Sequence, residues 1–250
     1  MMTLTQTALS RPSNIIPLLA RAPSSLASIF DSQPVETFDP GRPIFWQNDP
    51  AKHVFEISDG LVRVFKILSD GRRVITGFLY PGDLVGISFL DRYLYGAEAI
   101  ISTKVRRFSR RSFQIKMDQS PDLRPSLFAR LSDEMAAAQE QMILLATKTA
   151  EERVCTFLLL TARRDPARFQ KSEVNLPMTR QDIGDYLGLT IETVSRTFSN
   201  LAGRDTIVAI GRHCYHMRVE SLLALAGEID ACHAEARMHN ENKGRRAVGF

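Results

Sequence analysis

The stretch from Pro177 to Phe198 constrains this chain most. It runs Pro177-Met178-Thr179-Arg180-Gln181-Asp182-Ile183-Gly184-Asp185-Tyr186-Leu187-Gly188-Leu189-Thr190-Ile191-Glu192-Thr193-Val194-Ser195-Arg196-Thr197-Phe198. The pattern predicts two short helices joined by a tight glycine turn, a helix-turn-helix. Thr179 and Thr190 each stand where a side-chain oxygen can accept from the free backbone N–H groups of a first helical turn. Ile183, Tyr186 and Leu187 share one face of the first helix, and Val194, Phe198 and Leu201 share one face of the second. Gly188 falls between them, where a left-handed backbone suits glycine. Glu192, Thr193, Ser195 and Arg196 are left on the wet face of the second helix. Their acceptor, hydroxyl and forked-donor groups are the kinds that read base edges in a major groove. An ordinary solvated helix pair would not need both caps, the central glycine and this polar quartet.

With 250 residues, 44% of them hydrophobic, the chain has room for two modest domains. A net charge of +4 permits nucleic-acid binding without requiring it. The helix pair itself is nearly balanced, with Arg180, Arg196 and Arg204 set against Asp182, Asp185 and Glu192, so the motif carries the argument and the charge does not. A second basic run, Lys104, Arg106, Arg107, Arg110, Arg111 and Lys116, reads as a solvated strand and helix edge. The three cysteines (Cys155, Cys214 and Cys232) are too few and too scattered for a disulfide framework, which fits a reducing cytoplasm. No run has the length of a membrane span, and the N-terminal region, despite Arg11 and Arg21, has no continuous signal-peptide core. A soluble cytoplasmic protein is expected.

Along the chain, residues 1–35 read as a flexible Ser/Thr/Pro/Ala-rich extension with one short helix around Ile15–Ala20. From Val35 to Ser109, short alternating strands are punctuated by Ser58-Asp59-Gly60, Ser69-Asp70-Gly71 and Pro81-Gly82-Asp83, which predicts a β-roll or jelly roll over 36–120. A long helix is expected from Pro125 to Thr149, within a dimerisation segment 121–149. There Phe128, Leu131, Met135, Ala138, Met142, Leu145 and Thr149 alternate spacings of three and four, the seam of a parallel coiled-coil dimer. A helix over Ala150–Arg163, a loop over Arg164–Pro177, the helix pair, and a two-stranded wing over Ile207–Val219 turning near Gly211 make a winged helix-turn-helix of 150–228. A closing helix over Glu220–Arg237 runs into a C-terminal extension, 229–250. The fold class is therefore α+β: β-roll, long dimerisation helix, winged helix-turn-helix.

That order, and above all the string Arg180 to Arg196, resembles the Crp/Fnr superfamily of bacterial transcription regulators, over roughly residues 36–228. Together with Ala97-Glu98-Ala99-Ile100, it looks like the FixK branch. The resemblance implies a DNA-binding activator, not an enzyme, with double-stranded DNA, RNA polymerase and a second copy of the chain as partners. It also implies control of microaerobic, nitrogen-fixation or denitrification genes. Glu-Thr-Val-Ser-Arg matches readers of a TTGA…TCAA palindrome, which assigns Glu192, Ser195 and Arg196 to bases. Thr179, Arg180, Thr190 and Thr193 would hold phosphates or support the helix. The physics agrees: Arg196 can pair with guanine O6 and N7, Glu192 can accept from a cytosine amino group, and Ser195 is short enough to reach thymine.

Relatives that bind cyclic nucleotides need a glutamate for the ribose and an arginine for the phosphate. Here Ile87 and Gly96-Ala97 occupy those positions, and burying a phosphate without a cation is costly. Arg92 lies nearby in sequence and could be repurposed. Iron–sulfur relatives carry N-terminal cysteines, yet no cysteine precedes Cys155. Within His213-Cys214-Tyr215-His216, strand alternation lets only Cys214 and His216 share a face, too few ligands for a metal. No cofactor or metal is expected. Cys155 reads as a core residue, whereas Cys214 or Cys232 would be a redox switch only if exposed and activated. The alternative is a sensor whose barrel holds haem or another small effector. An enzyme is disfavoured, because there is no nucleophile–base set or phosphate loop, and Gly82–Gly86 lacks dinucleotide-site spacing.

Overall fold

The computed structural model describes Leu26 and residues 28–88 and 90–228. The alternating N-terminal half forms strands β1 (Val35–Phe38), β2 (Pro43–Phe45), β3 (His53–Asp59), β4 (Val62–Ile67), β5 (Arg73–Leu79), β6 (Leu84–Val85), β7 (Gly96–Ala99) and β8 (Thr103–Ser109). They build two four-stranded antiparallel sheets, ordered β1-β8-β3-β6 and β2-β7-β4-β5. The inward residues of the two sheets, among them Phe55, Ile57, Val62, Val85 and Val105, meet in a buried core. This is the expected β-roll. The flexible-extension reading of residues 1–35 fails at its end. Leu26 and Phe30 are fully buried against Val54, Leu84, Phe113 and Met117, because two large apolar side chains gain more from that contact than from solvent. The helix expected near Ile15–Ala20, the extension 229–250 and Cys232 lie outside the described residues.

The basic run is dispersed by pairing. Arg106 meets Glu56 at 3.0 Å, Arg107 meets Glu36 at 3.0 Å, and Arg110 meets Asp91 at 3.3 Å. The run sits on β8, an inner strand between β1 and β3, and on the start of the following helix, with counter-charges from its neighbours.

Helix α1 (Arg110–Gln119) leads into α2 (Leu123–Thr147). Leu123, Arg130, Ala137 and Leu144 recur every seven residues and form the buried stripe of α2 against the roll. Arg130 enters that interface with its charge matched, its Nη2 donating to Asp83 at 2.8 Å. On the other side Phe128, Met135 and Met142 are 68%, 63% and 63% exposed, with Ala138 and Leu145 also exposed and Leu131 half-buried. The seam assigned to Thr149 needs correction. α2 ends at Thr147, and Thr149 is extended (φ −67°, ψ 169°) as the N-cap of α3 (Ala150–Arg163). Its hydroxyl accepts from Glu152 N while the Glu152 carboxylate accepts from Thr149 N at 2.6 Å, a reciprocal cap that starts a new helix. Arg153 then donates to the carbonyls of Leu145 and Lys148, satisfying the end of α2, and to that of Leu187.

The expected loop Arg164–Pro177 is also corrected. It contains α4 (Pro166–Phe169) and β9 (Glu173–Asn175). β9 pairs with β11, so the wing has three strands in the order β10-β11-β9. Only Val174 of β9 is buried, too little for a periodic signal. α5 (Arg180–Leu187), α6 (Ile191–Gly203), β10 (Ile207–Ala209), β11 (Cys214–Met217) and α7 (Val219–Leu225) complete the domain. Its core is continuous with the roll: Phe65, Ile75 and Phe78 belong to the same buried cluster as Phe157, Leu158, Ile183, Tyr186, Val194 and Leu201. Among the described residues no helix is long and apolar enough to cross a membrane.

Candidate nucleic-acid interface

Local chemistry builds the helix pair as the sequence anticipates. Thr179 Oγ1 accepts from Asp182 N at 3.1 Å, and Asp182 Oδ2 accepts from Thr179 N at 3.0 Å and from Thr179 Oγ1 at 2.8 Å. Gly188 ends α5 in the left-handed conformation (φ 64°, ψ 37°), its N–H donating to Gly184 O. Thr190 Oγ1 accepts from Thr193 N at 3.2 Å and starts α6. The turn after α5 folds back closely on the helix because Gly184 has no side chain. A Cβ there would lie 2.6 Å from the backbone oxygen of Leu189.

Ile183, Tyr186, Leu187, Val194, Phe198 and Leu201 are all buried, so the apolar faces assigned from sequence are the ones that pack. Glu192, Ser195 and Arg196 are exposed together on α6. The Glu192 carboxyl is held below the usual carboxylate range by its own backbone N–H and the Thr190 hydroxyl, with Arg196 adding attraction. It therefore stays an acceptor. Thr193 is half-buried, its hydroxyl 3.1 Å from that of Thr190, which places it in the cap. Arg180 lies with its guanidinium 3.2 Å from the centroid of the Phe198 ring and donates to Tyr215 Oη at 2.8 Å. It buttresses α6 against β11.

Sequence reasoning missed the further role of the two acidic residues of α5. Instead of balancing charge within the helix pair, Asp182 and Asp185 face Arg63 and Arg73 of the roll. No local pattern joins residues so far apart in the chain. Gly184 did carry a signal, since a glycine inside a helix is unfavourable unless something approaches it closely. On the wing, Tyr215 is committed to Arg180, and Cys214 Sγ lies 3.6 Å from Arg168 Nη1. Among the described residues no group of three or more His, Cys, Asp or Glu could hold a metal. Cys155 is fully buried, and burial pushes its thiol up to about 12, which leaves it inert.

Residues 152–226 match the model of the Crp-like helix-turn-helix domain, and residues 35–120 match that of the cyclic nucleotide-binding domain. The chain is 42% identical over 166 residues to the nitrogen fixation regulation protein FixK of Azorhizobium caulinodans, covering 66% of this chain and 67% of that protein. It is 38% identical over 190 residues to the transcriptional activator protein Anr of Pseudomonas aeruginosa, covering 75% and 78%. The chain belongs to the Crp/Fnr superfamily of transcription regulators, in its FixK-like branch. The solved structure of FixK2 from Bradyrhizobium japonicum superposes with a TM-score of 0.72 at 38% identity, over 77% of this chain and 96% of that one. This FixK-like family is one of regulators and not of enzymes.

The match to a cyclic nucleotide-binding domain raises the question of whether this roll fits such a ligand. It does not. The Phe65 ring stands 2.7–3.1 Å from where a Cβ of Gly96 would project, so no anion-binding side chain reaches in from that position. Ile87 packs outside the roll's inner core, with the cluster of Leu26, Phe30 and Phe113. Arg92 turns away, donating to Asn48 O at 2.7 Å.

Proposed function

We propose that this chain is a homodimeric, sequence-specific DNA-binding activator, acting in the cytoplasm on a TTGA…TCAA-type palindrome and contacting RNA polymerase. The observation that carries the reading is the exposed trio Glu192, Ser195 and Arg196 on one face of a capped helix whose opposite face is buried. Arg196 would take guanine, Glu192 cytosine and Ser195 thymine. Thr190, Thr193 and Arg180 hold that helix in place and Thr179 caps α5, which favours support over phosphate contact for them. A homodimer is favoured by α2, whose outer face exposes Phe128, Met135 and Met142 while Leu123, Arg130, Ala137 and Leu144 are buried on its inner face. The names of the relatives, a nitrogen fixation regulation protein and a transcriptional activator, support nitrogen-fixation genes as targets, and the sequence resemblance adds microaerobic or denitrification genes.

We take the protein to act without a bound cofactor, with Cys214 as the candidate redox-sensitive thiol. A sulfinate or sulfonate on the wing would repel the phosphate backbone. One observation favours a second reading, an effector-dependent sensor. A cavity of about 410 Å³ lies between β5 and α2, lined by Val64, Ile75, Leu79, Tyr95, Ala138 and Leu145 among others. The deciding experiment compares Arg196→Ala with the parent on the palindrome and on a guanine-substituted version. It also titrates the parent after exhaustive dialysis, with and without cyclic AMP. Loss of about 1–3 kcal/mol confined to the intact palindrome supports base reading. Equal losses on both sequences would reduce Arg196 to a phosphate contact. Binding that appears only with an added effector would favour the sensor.

A further inference from the structure

The two lobes meet through apolar contacts and ion pairs, and the two kinds have different geometric consequences. One pair, Arg164 with Asp83 at 3.9 Å, lies beside the Tyr80 ring, and the others centre on α5. The apolar part packs Phe78 of β5 against Tyr186 and Phe157, with ring centroids 5.3 and 6.0 Å apart and ring planes tilted by 58° and 60°. Burying these rings holds the lobes together, and such contacts constrain an angle less tightly than hydrogen-bonded ion pairs do. The ionic part is directional. Arg63 stands on β4 directly opposite Glu98 of β7 and donates to it, while its Nη1 donates to Asp182 Oδ1 at 2.8 Å. Arg73, opposite Ile67 at the start of β5, donates from Nη2 to the same Asp182 oxygen at 2.9 Å and from Nε to Asp185 Oδ2 at 2.9 Å. Asp182 is 1% exposed, Asp185 and Glu98 are 12% exposed, and Arg63 is 15% exposed.

Three features make this more than a salt bridge. The Asp182 carboxylate is divided: Oδ2 closes the cap on α5, and Oδ1 receives both arginines. Asp182 and Asp185 are three residues apart on α5, so the roll grips the helix at two points along its length, which fixes a direction where one point would allow a swivel. α5 is in turn joined to the reading helix by the tight turn that packs Leu189 against Gly184 and by the buried faces the two helices share. The grip leaves Glu192, Ser195 and Arg196 open, so it orients the reader without covering it. Buried ion pairs add little net stability compared with apolar packing, and their best-attested use is to fix geometry.

We propose that Arg63 and Arg73 are positioning residues for DNA reading: they hold the helix-turn-helix at one angle to the roll and to α2, and thereby set the half-site spacing the dimer accepts. The proposal rests on the dimeric, palindrome-reading function above. Each base pair inserted between half-sites moves the second by about 3.4 Å and turns it by about 35°, so a rigid joint should discriminate sharply.

The test is a set of palindromes whose half-site separation changes by single base pairs, titrated with the parent and four variants. Arg73→Ala and Asp185→Asn open the joint from opposite sides. Arg73→Lys keeps the charge, and Arg72→Ala removes a neighbouring exposed arginine that pairs with Asp70 instead. The parent and Arg72→Ala should share one sharp optimum. Arg73→Ala and Asp185→Asn should flatten the ratio between best and next-best spacing by about tenfold, within the range for residues of one salt-bridge network, and Arg73→Lys should recover part of it. If affinity and thermal midpoint fall equally at every spacing with the ratio unchanged, the network only stabilises and the proposal is overturned. A parent protein indifferent to spacing would instead remove the two-fold operator reading, and this inference with it. Asp185→Asn is nearly isosteric, so it gives the answer if Arg73→Ala fails to fold.

Discussion

Replacing Gly184 by alanine tests the geometry of the helix pair, and Gly203 supplies an internal control. A Cβ at 184 would sit 2.6 Å from the backbone oxygen of Leu189, whereas one at 203 would meet nothing within 4 Å. An ordinary carbon–oxygen contact needs about 3.3 Å, so the turn must retreat by roughly 0.7 Å. The obstacle is backbone of the turn between α5 and α6, and it cannot swing aside like the end of a side chain. Overpacking of this kind costs about 1–3 kcal/mol. Alanine gains up to about 1 kcal/mol of helix propensity at the interior position 184 and less at Gly203, the last residue of α6, so the gain offsets part of the clash. Gly184→Ala should therefore be less stable than Gly203→Ala by up to about 2 kcal/mol. Equilibrium urea unfolding followed by far-ultraviolet circular dichroism measures this directly. Trp46 fluorescence serves as a separate probe, because this single tryptophan lies in the roll. Operator affinity should fall in Gly184→Ala as α6 is pushed out of alignment and stay unchanged in Gly203→Ala. Equal unfolding midpoints for the two variants would show that the turn does not approach α5 as closely as described.

Charging both Met135 and Met142 should convert a dimer into monomers in sedimentation velocity, since each would bury a charge between two chains. A double variant that still sediments as a dimer would place the interface elsewhere. Thr149→Ala should lower stability by about 1 kcal/mol through loss of the α3 cap while leaving the oligomeric state unchanged; monomerisation would return Thr149 to the seam. Peroxide should weaken operator binding of the parent but not of Cys214→Ser, and an equal loss in both would exclude this thiol.

The sequence by itself determined the elements whose causes are local. Thr179, Gly188 and Thr190 mark the helix pair because caps and a left-handed turn act within a few residues. Ile183, Leu187, Val194 and Phe198 mark its inner faces because helical periodicity does the same, and Glu192, Ser195 and Arg196 follow as the exposed remainder. The break at Thr149 was also legible, in Thr149 and Glu152, but the heptad spacing outran it and carried the long helix two residues too far. β9 was not legible: three residues with one buried side chain become a strand only by pairing with β11, some forty positions later. The joint between the lobes lies further still from local reading. Arg63 and Asp182 are separated by 119 residues, and Arg73 and Asp185 by 112. Read locally, each is an ordinary surface charge on a strand or helix. Only the tertiary structure brings them together, because an ion pair is fixed by where the two chain segments are carried and not by either segment's own preference. Sequence thus specified which face of α6 is left exposed, and the packed fold decided how α5 and α6 sit against the roll.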